Sequence, residues 1–433
     1  MNRNATELSP NTAPRPTRLQ FPSVKEILLW GIITLSPLQD TVLQKTPLKL
    51  FGASPAVLPV LALASLALFR QILRLKFALD RKMLIGIGYV LAICVAHIIT
   101  FQPGLDSIQW RPLRSFGLMT ALIVFLMTGV DYKNTRGLRF AIFMAASITL
   151  AGVALGALLG PDSMRILQVT PDAGGRPRGF CTESSTLSVQ IVCVGMLCSH
   201  YLLRTWKKVV TGVITSGLLI YSSSKGGLIS LLLCVLILAL MRSRASVFSK
   251  ILAGIVVSPI LVFGVLLVAS RFSSLVMLNQ TTTIATRVSM ALFSGVVVLH
   301  NPLGVGFTGF YPAIPRYLYS AMWTVQSWFP FPLAFTEVRE YLTPPFKDAD
   351  CKSFFLDFLV FFGIPFAIVF FRFGNNLLQE LLAHRLFSLF VAVLFAFLAL
   401  FTYYSTMNAY TVPLLMGIAI YETRRHEAAV RLH

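Results

Sequence analysis

Residues 184–241 read SSTLSVQIVCVGMLCSHYLLRTWKKVVTGVITSGLLIYSSSKGGLISLLLCVLILALM, and this stretch decides the fold class. It holds three apolar runs, 184–203, 209–224 and 226–241. The first break carries Arg204, Lys207 and Lys208; the second is Ser222-Ser223-Ser224-Lys225-Gly226-Gly227. An α-helix needs about 20 apolar residues to cross a hydrocarbon layer about 30 Å thick, with tilt absorbing small differences. Each run meets that length approximately, and charge falls only at the breaks. The second break is so tight that the two runs either form separate helices or bend around it as one unit.

The same pattern extends in both directions. Further apolar runs fall near 26–39, 50–69, 83–100, 115–130, 139–160, 251–270, 353–371, 386–402 and 405–421. The first and last are interrupted by proline or polar residues. The expectation is an all-α polytopic integral membrane protein of about 12 transmembrane helices. Composition agrees: the 433 residues are 56% hydrophobic and only 12% charged, with 34 phenylalanines. A soluble domain carries about a quarter charged residues, so lipid must solvate much of this surface.

The net charge of +20 suggests nucleic acid only until it is mapped. With the amino terminus inside, the cytoplasmic segments hold 23 of the 37 Lys and Arg and seven acids, a net +16. The outer segments hold 14 basic and ten acidic residues, a net +4. This is the positive-inside asymmetry of a multispanning membrane protein, and it recurs at every short inner turn. It predicts both termini in the cytoplasm and no nucleic-acid partner. Residues 1–25 are then a polar cytoplasmic segment without the apolar core of a cleavable signal. Helices one to nine fill 26–270, helices ten to twelve fill 353–421, and 422–433 form a cytoplasmic tail.

Between the ninth and tenth helices lies an 82-residue outer loop, 271–352, far longer than an ordinary connection. Its partly apolar start, Ile284 to His300, either lies along the interface or dips into the bilayer. The loop then becomes rich in rings, including Tyr311, Tyr317, Tyr319, Trp323, Trp328 and Phe329. Interfacial anchoring and the walls of a pocket over the membrane explain such a composition equally well.

Candidate chemical groups gather in the outer segments. Arg176 and Arg178 flank Pro177, and Glu183 stands where the sixth helix begins. An acid there caps orphan N–H groups, or it serves as a base beside an anionic leaving group. Lys225 is either a snorkelling lysine or a cation held close by Gly226 and Gly227. Arg287, Arg316 and Arg339 carry the same ambiguity. Guanidinium forks suit phosphate oxygens, as in a lipid diphosphate. Gly304-Val305-Gly306-Phe307-Thr308-Gly309 matches GxGxxG, but no strand–helix unit surrounds it, so no nucleotide site is expected. The six histidines do not cluster with Cys and acids, so neither a metal nor another cofactor is expected. Asp348, Asp350 and Asp357 read as an acidic loop end. Cys181 and Cys351 either pair as a disulfide or remain thiols.

Four patches, GRPRGFCTESS (175–185), SSSKGG (222–227), the Arg287 segment leading to NPLGVGFTGF (301–310), and CKSFFLDFLVFFGIPF (351–366), stand in a distinctive order. In this order and topology the chain resembles the bacterial O-antigen ligase and O-antigen/exopolysaccharide polymerase superfamily, in layout over about 20–420. That family commonly has an arginine turn leading through Gly and an aromatic residue to Glu-Pro-Ser; here Arg178-Gly179-Phe180 leads to Glu183-Ser184-Ser185. Its Ser-Arg-Gly turn is matched by Ser224-Lys225-Gly226, with the planar fork lost. Its ligase branch carries a histidine just before the helix that follows the large loop; this chain has Cys351-Lys352-Ser353, closer to the polymerase branch.

The resemblance implies an inverting, metal-independent glycosyltransferase at the periplasmic face, acting on polyprenyl-diphosphate-linked glycans. It implies Glu183 and Arg178 as catalytic, Arg176, Lys225 and Arg287 as diphosphate ligands, and Arg316, Trp323, Trp328 and Arg339 as glycan contacts. Partners would be membrane lipids, a flippase and a chain-length regulator. The alternatives are ligation of glycan to lipid A core, or transport. Twelve spans with both ends inside is also a transporter plan. The connection after the sixth helix, however, is only about five residues (Arg204–Lys208), and no internal repeat stands out.

Overall fold

The computed structural model describes residues 22–41, 54–74, 81–101, 135–159, 177–181, 183–242, 276–344, 349–405 and 410–431. The expected spans at 115–130 and 251–270, the segment 1–21, Arg176 and Asp348 lie outside the described residues. Every regular element among the described residues is helical.

The chain order is α1 (Val24–Leu35), α2 (Val57–Arg74), α3 (Arg81–Phe101), α4 (Thr135–Leu159), α5 (Ser184–Tyr201), α6 (Thr205–Tyr221) and α7 (Lys225–Arg242). There follow α8 (Val276–His300), α9 (Gly306–Ala313), a π-turn (Ile314–Leu318), α10 (Tyr319–Trp328), α11 (Thr336–Tyr341), α12 (Phe354–Ala383), α13 (Phe387–Thr402) and α14 (Thr411–Arg431). α1 opens with a capping box in which Ser23 and Glu26 each bond the other's backbone N–H, satisfying two orphan donors. The tight break at 222–224 is a true turn. Ser223 adopts φ 52°, and the Ser224 hydroxyl accepts from the Gly227 N–H at 3.3 Å. α6 and α7 are therefore separate helices.

α5 is the hub, packed against α4, α6, α13 and α14. Thirteen of its 18 residues are buried, so it is enclosed on all faces rather than amphipathic. α6 is the converse: only Thr215 and Leu219 are buried, while Trp206, Val209, Val213, Ile214 and Ile220 are exposed. An apolar exterior around an interior holding buried Gln39, Asp40, Gln190 and Glu422 is the arrangement of a chain solvated by lipid. Among the described residues three helical stretches, Arg136–Leu158, Thr282–His300 and Phe354–Ala383, are long and apolar enough to cross a membrane. The protein is a helical membrane protein on these grounds.

The expected loop 271–352 is largely helical. Its rings Phe293, Phe307 and Phe310 form a second core with Phe358, Phe361 and Phe362 of α12, Phe307 lying 4.6 Å from Phe361 between centroids. Tyr311 is buried, whereas Tyr319, Trp323, Trp328 and Phe331 are exposed. The ring-rich composition therefore serves a packed core and an exposed surface at once.

α12 departs from the straight span expected at 353–371. Phe355 and Phe371 are 16 positions apart, about 24 Å along a straight helix, yet their rings lie 5.3 Å apart. Phe354 and Phe370 meet at 6.4 Å. The helix reverses at Gly363, where φ is 61°, so Phe354–Phe362 folds back on Ile364–Ala383. The second leg has 20 residues, enough to cross a bilayer by itself. The reversal is clamped to the loop: Val305 N–H donates to Val360 O at 2.9 Å and Ile364 N–H to Pro302 O at 2.8 Å. The Tyr89 hydroxyl caps both chains, at 2.8 Å from Leu303 O and 2.9 Å from Phe362 O. The GxGxxG string is thus a packing device, because a Cβ on Gly304 would strike the Phe361 carbonyl.

A Cβ on Gly363 would strike the Pro302 carbonyl and lie 2.6 Å from the Gly304 nitrogen. Gly363→Ala is expected to cost about 2 kcal/mol or more, from positive φ alone about 1–3, read as a lower unfolding midpoint in detergent. Gly295→Ala, whose Cβ would meet nothing within 4 Å, should leave the midpoint unchanged or slightly raised.

Candidate functional site

The site is built where α5 and α7 begin and α13 ends. Ahead of α5 the chain turns at Gly179, with φ 53°, and Cys181 N–H donates back to Arg178 O at 2.9 Å. The Phe180 carbonyl accepts the Gln39 and Asp40 N–H groups at 3.0 and 2.9 Å. Its ring presses on Gly152 of α4, where a Cβ would lie 2.6 Å away. Arg178 and Asp40 form an ion pair at 3.5 Å with exposures of 7% and 0%. Arg178 thus pins the segment after α1 to the turn that starts α5.

Below this pin runs a chain of buried amides and hydroxyls. Gln39 Nε2 donates to Gln190 Oε1 at 2.9 Å and to Thr411 Oγ1 at 3.3 Å. Gln190 Nε2 donates to Thr149 Oγ1 at 2.9 Å. Cys181 Sγ donates to the same Gln190 oxygen at 3.1 Å. All six cysteines are free, so the alternative of a Cys181–Cys351 disulfide does not hold. The Cys351 sulfur instead accepts from Ser294 Oγ at 3.3 Å.

Glu183 is the N-cap of α5, but its side chain makes no cap bond. The carboxylate is exposed and accepts from Ser185 Oγ at 3.0 Å. Ser188, one turn on, donates to Ser185 O at 2.6 Å and accepts from Ser224 Oγ at 3.1 Å. The Tyr403 hydroxyl lies 3.3 Å from the same Ser188 oxygen. Gly226 and Gly227 permit this approach: a Cβ on the first would lie 2.8 Å from the Tyr403 ring, and on the second 2.7 Å from Ser188 Cβ. Lys225 is therefore held at the α7 start beside the α5 start, half-buried.

Arg287 of α8 joins this group. Its Nη1 donates to Thr402 O at 3.3 Å, and the carboxylates of Glu183, Glu337 and Asp350 act on it electrostatically. Lys352, with φ 58°, completes the cluster: its Nζ is 2.9 Å from Glu337 Oε1 and 3.3 Å from Asp350 Oδ1. The ammonium also sits 5.3 Å from the Tyr341 ring centroid, and the Tyr341 hydroxyl donates to Glu337 Oε1 at 2.8 Å. Burial pushes the Lys352 ammonium down, but Asp350, Tyr341 and Glu337 outweigh it and hold the group above the ordinary lysine value. Burial likewise pushes Glu337 up, and Lys352 together with the Tyr341 bond brings it below the ordinary carboxylate value. Lys352 is thus a permanent cation, unlike an imidazole in that place.

Arg316, Trp323, Trp328 and Arg339 lie on the outside of the helical module 306–341. Arg316 rests over the Tyr317 ring at 5.3 Å, and Trp323 meets Tyr319 edge-on at 6.1 Å. Of the groups expected from sequence, Glu183, Lys225 and Arg287 converge at this end of the bundle, and Arg178 stands beneath as a buried pin. Asp40, Glu337, Tyr341 and Tyr403 were not anticipated. Asp40 had one signal, an acid closing the weak first apolar run. Among the described residues no three His, Cys, Asp or Glu side chains gather as metal ligands.

No family model matches the chain. The chain is similar along most of its length to a Klebsiella pneumoniae protein described as an uncharacterized 49.5 kDa protein in the cps region. The two are 28% identical over 402 residues, which cover 89% of each.

Removing either partner of a buried ion pair leaves an uncompensated charge, at a cost of about 3–5 kcal/mol. Asp40→Ala and Arg178→Ala should each lower membrane abundance and the unfolding midpoint, and the double variant should lose less than the sum of the two. Wild-type midpoints in both single variants would show that the pair is not structural. The Glu337–Lys352 contact behaves differently, being 34% and 29% exposed and so partly screened. Because the folded Glu337 titrates below its unfolded value, its contribution is present above about pH 4.3 and fades as pH falls through the folded value. Thermal midpoints measured from pH 7 to pH 3 should lose this acid-dependent component in Glu337→Gln.

Proposed function

We propose that the chain polymerises lipid-linked oligosaccharide repeat units during capsule-type polysaccharide synthesis, by inverting glycosyl transfer from a polyprenyl-diphosphate donor at the outer face of the inner membrane. The observation that carries this reading is that Arg287 of α8 feels the Glu183 carboxylate at the start of α5, with Lys225 at the adjoining start of α7, at one end of an apolar bundle. Similarity to a protein of a cps region supports the polysaccharide context.

In this mechanism a hydroxyl of the acceptor glycan attacks the anomeric carbon of the donor. The new C–O bond forms as the bond from that carbon to the diphosphate oxygen breaks, and the electron pair leaves with the diphosphate. Glu183, exposed and unused as a cap, accepts the hydroxyl proton. Arg287 and Lys225 offset the charge growing on the leaving group, with Arg176 assigned to the same role. Arg178 acts through position, because its guanidinium is committed to Asp40 and sets the turn that carries Glu183. Lys352 occupies Glu337 and Asp350, which lessens their pull on Arg287 and leaves it available to the diphosphate. Arg316, Trp323, Trp328 and Arg339 offer stacking and hydrogen-bonding surface to the glycan outside the cluster.

Purified protein in lipid, supplied with a lipid-linked repeat unit, should yield a ladder of longer glycans on the carrier. Glu183→Gln and Arg287→Gln should each reduce elongation at least about 100-fold with abundance near that of the parent. Products that stay single repeat units with the native donor would overturn the polymerase reading, and transfer to lipid A core would replace it with ligation.

A further inference from the structure

The opposite end of α5 holds a second polar site. α5 is 18 residues long, so its carboxyl end lies about 27 Å from Glu183. There a cavity of about 260 Å³ is lined by Arg139 of α4, His200 and Tyr201 of α5, and Glu422, Arg425 and His426 of α14. Among the described residues that line it Glu422 is the only acid, and it is already occupied. One oxygen accepts from the Tyr201 hydroxyl at 2.7 Å; the other is 3.4 Å from Arg425 Nη1 and 4.0 Å from His200 Nε2.

The cavity has more cationic donors than its one carboxylate can use. Arg139 lies over the Tyr201 ring at 5.9 Å, and its Nε is buried with no hydrogen-bond partner. A buried donor without a partner costs free energy that an arriving acceptor recovers. Lys208 and Arg425 add positive charge around His200. Two imidazoles, His200 and His426, can supply further N–H donors, and His426 is stacked on His384 at 5.8 Å.

The rim is apolar. Leu203 lines the cavity with 86% exposure, and Trp206 stands 58% exposed just beyond it. A phosphate bonded inside the cavity would therefore have exposed apolar surface beside it for an acyl chain. Basic pockets between membrane helices are suited to anionic headgroups on these two counts.

We propose that this cavity binds a phosphate group, delivered by an anionic phospholipid whose chains lie along Leu203 and Trp206. The phosphate oxygens accept from Arg139 and Arg425, with the imidazoles completing the shell, while Tyr201 keeps Glu422 turned away from the anion. The site is independent of glycosyl transfer at the other end.

The test uses the full-length protein in micelles doped with phosphatidylglycerol or phosphatidylcholine, with thermal midpoint and lipid retention in native mass spectra as readouts. Phosphatidylglycerol should raise the midpoint and remain bound. Arg139→Gln, which breaks no ion pair with Glu422, should weaken that binding about tenfold or more. Lys207→Gln, an exposed charge at the same end, should not. In a parallel arm, inorganic phosphate that stabilises the parent but not Arg139→Gln would assign the same cavity to a soluble phosphate. Equal response to both lipids with no effect of phosphate, or retention unchanged in Arg139→Gln, would overturn the proposal. Should Arg139→Gln lose stability in phosphatidylcholine, Arg425→Lys supplies the second variant, keeping the charge but losing the fork.

Discussion

A glutamine near the middle of a helix that is buried on every side must find all its hydrogen bonds inside the protein. Gln190 in α5 meets that constraint through Gln39, Cys181 and Thr149, and Gln39 extends the chain to Thr411. The segment after α1, the turn before α5, α4 and α14 are thereby fixed in register against one helix. In a lipid-solvated bundle apolar side chains gain little by leaving lipid for one another, so polar pairing and close packing carry more of the specificity. The small contacts of Gly195 with Thr215 and of Gly227 with Ser188 belong to the same economy of close approach.

From this fixed helix both polar sites follow. Its amino end carries Glu183 and Ser188, and its carboxyl end carries His200 and Tyr201. The Arg178–Asp40 pair explains how a turn of nonrepetitive backbone holds its place at the entrance to α5. Desolvating the two charges is costly, and their retention here is best understood as setting position rather than adding stability. A guanidinium committed in that way sets the position of a turn, which separates Arg178 from Arg287 despite their similar appearance in sequence.

Much of the helical layout was legible because apolar length alone reports it: α5, α7 and α13 begin and end within a few residues of their apolar runs. The reversal in α12 was not, because a hydropathy run records no direction. Gly363-Ile364-Pro365 was the local hint, and only the packing of Pro302 and Gly304 against it turns a hint into a hairpin. The helices within 271–352 were not legible for a related reason. Composition could not separate Phe307 and Phe310, which fill a core, from Trp323 and Trp328, which face outward. In the site, Glu183, Lys225 and Arg287 stood out as charges bordering apolar runs. Asp40 and Glu337 did not, since an acid's importance here depends on which cation folding brings to it.

Lys352 sharpens the chemistry that the proposed reading can use. The ligase branch that the sequence resembles in layout carries a histidine at this place, a group able to take up a proton near neutral pH. Lys352 is held by two carboxylates above the ordinary lysine value, so it has no lone pair to offer. Glu337, drawn below the ordinary carboxylate value by that same cation, is a poor proton acceptor as well. Their mutual pairing leaves Glu183, among the described residues, as the exposed carboxylate of the cluster, bonded to the neighbouring Ser185 hydroxyl. In the proposed reading, the proton of the attacking hydroxyl therefore goes to Glu183.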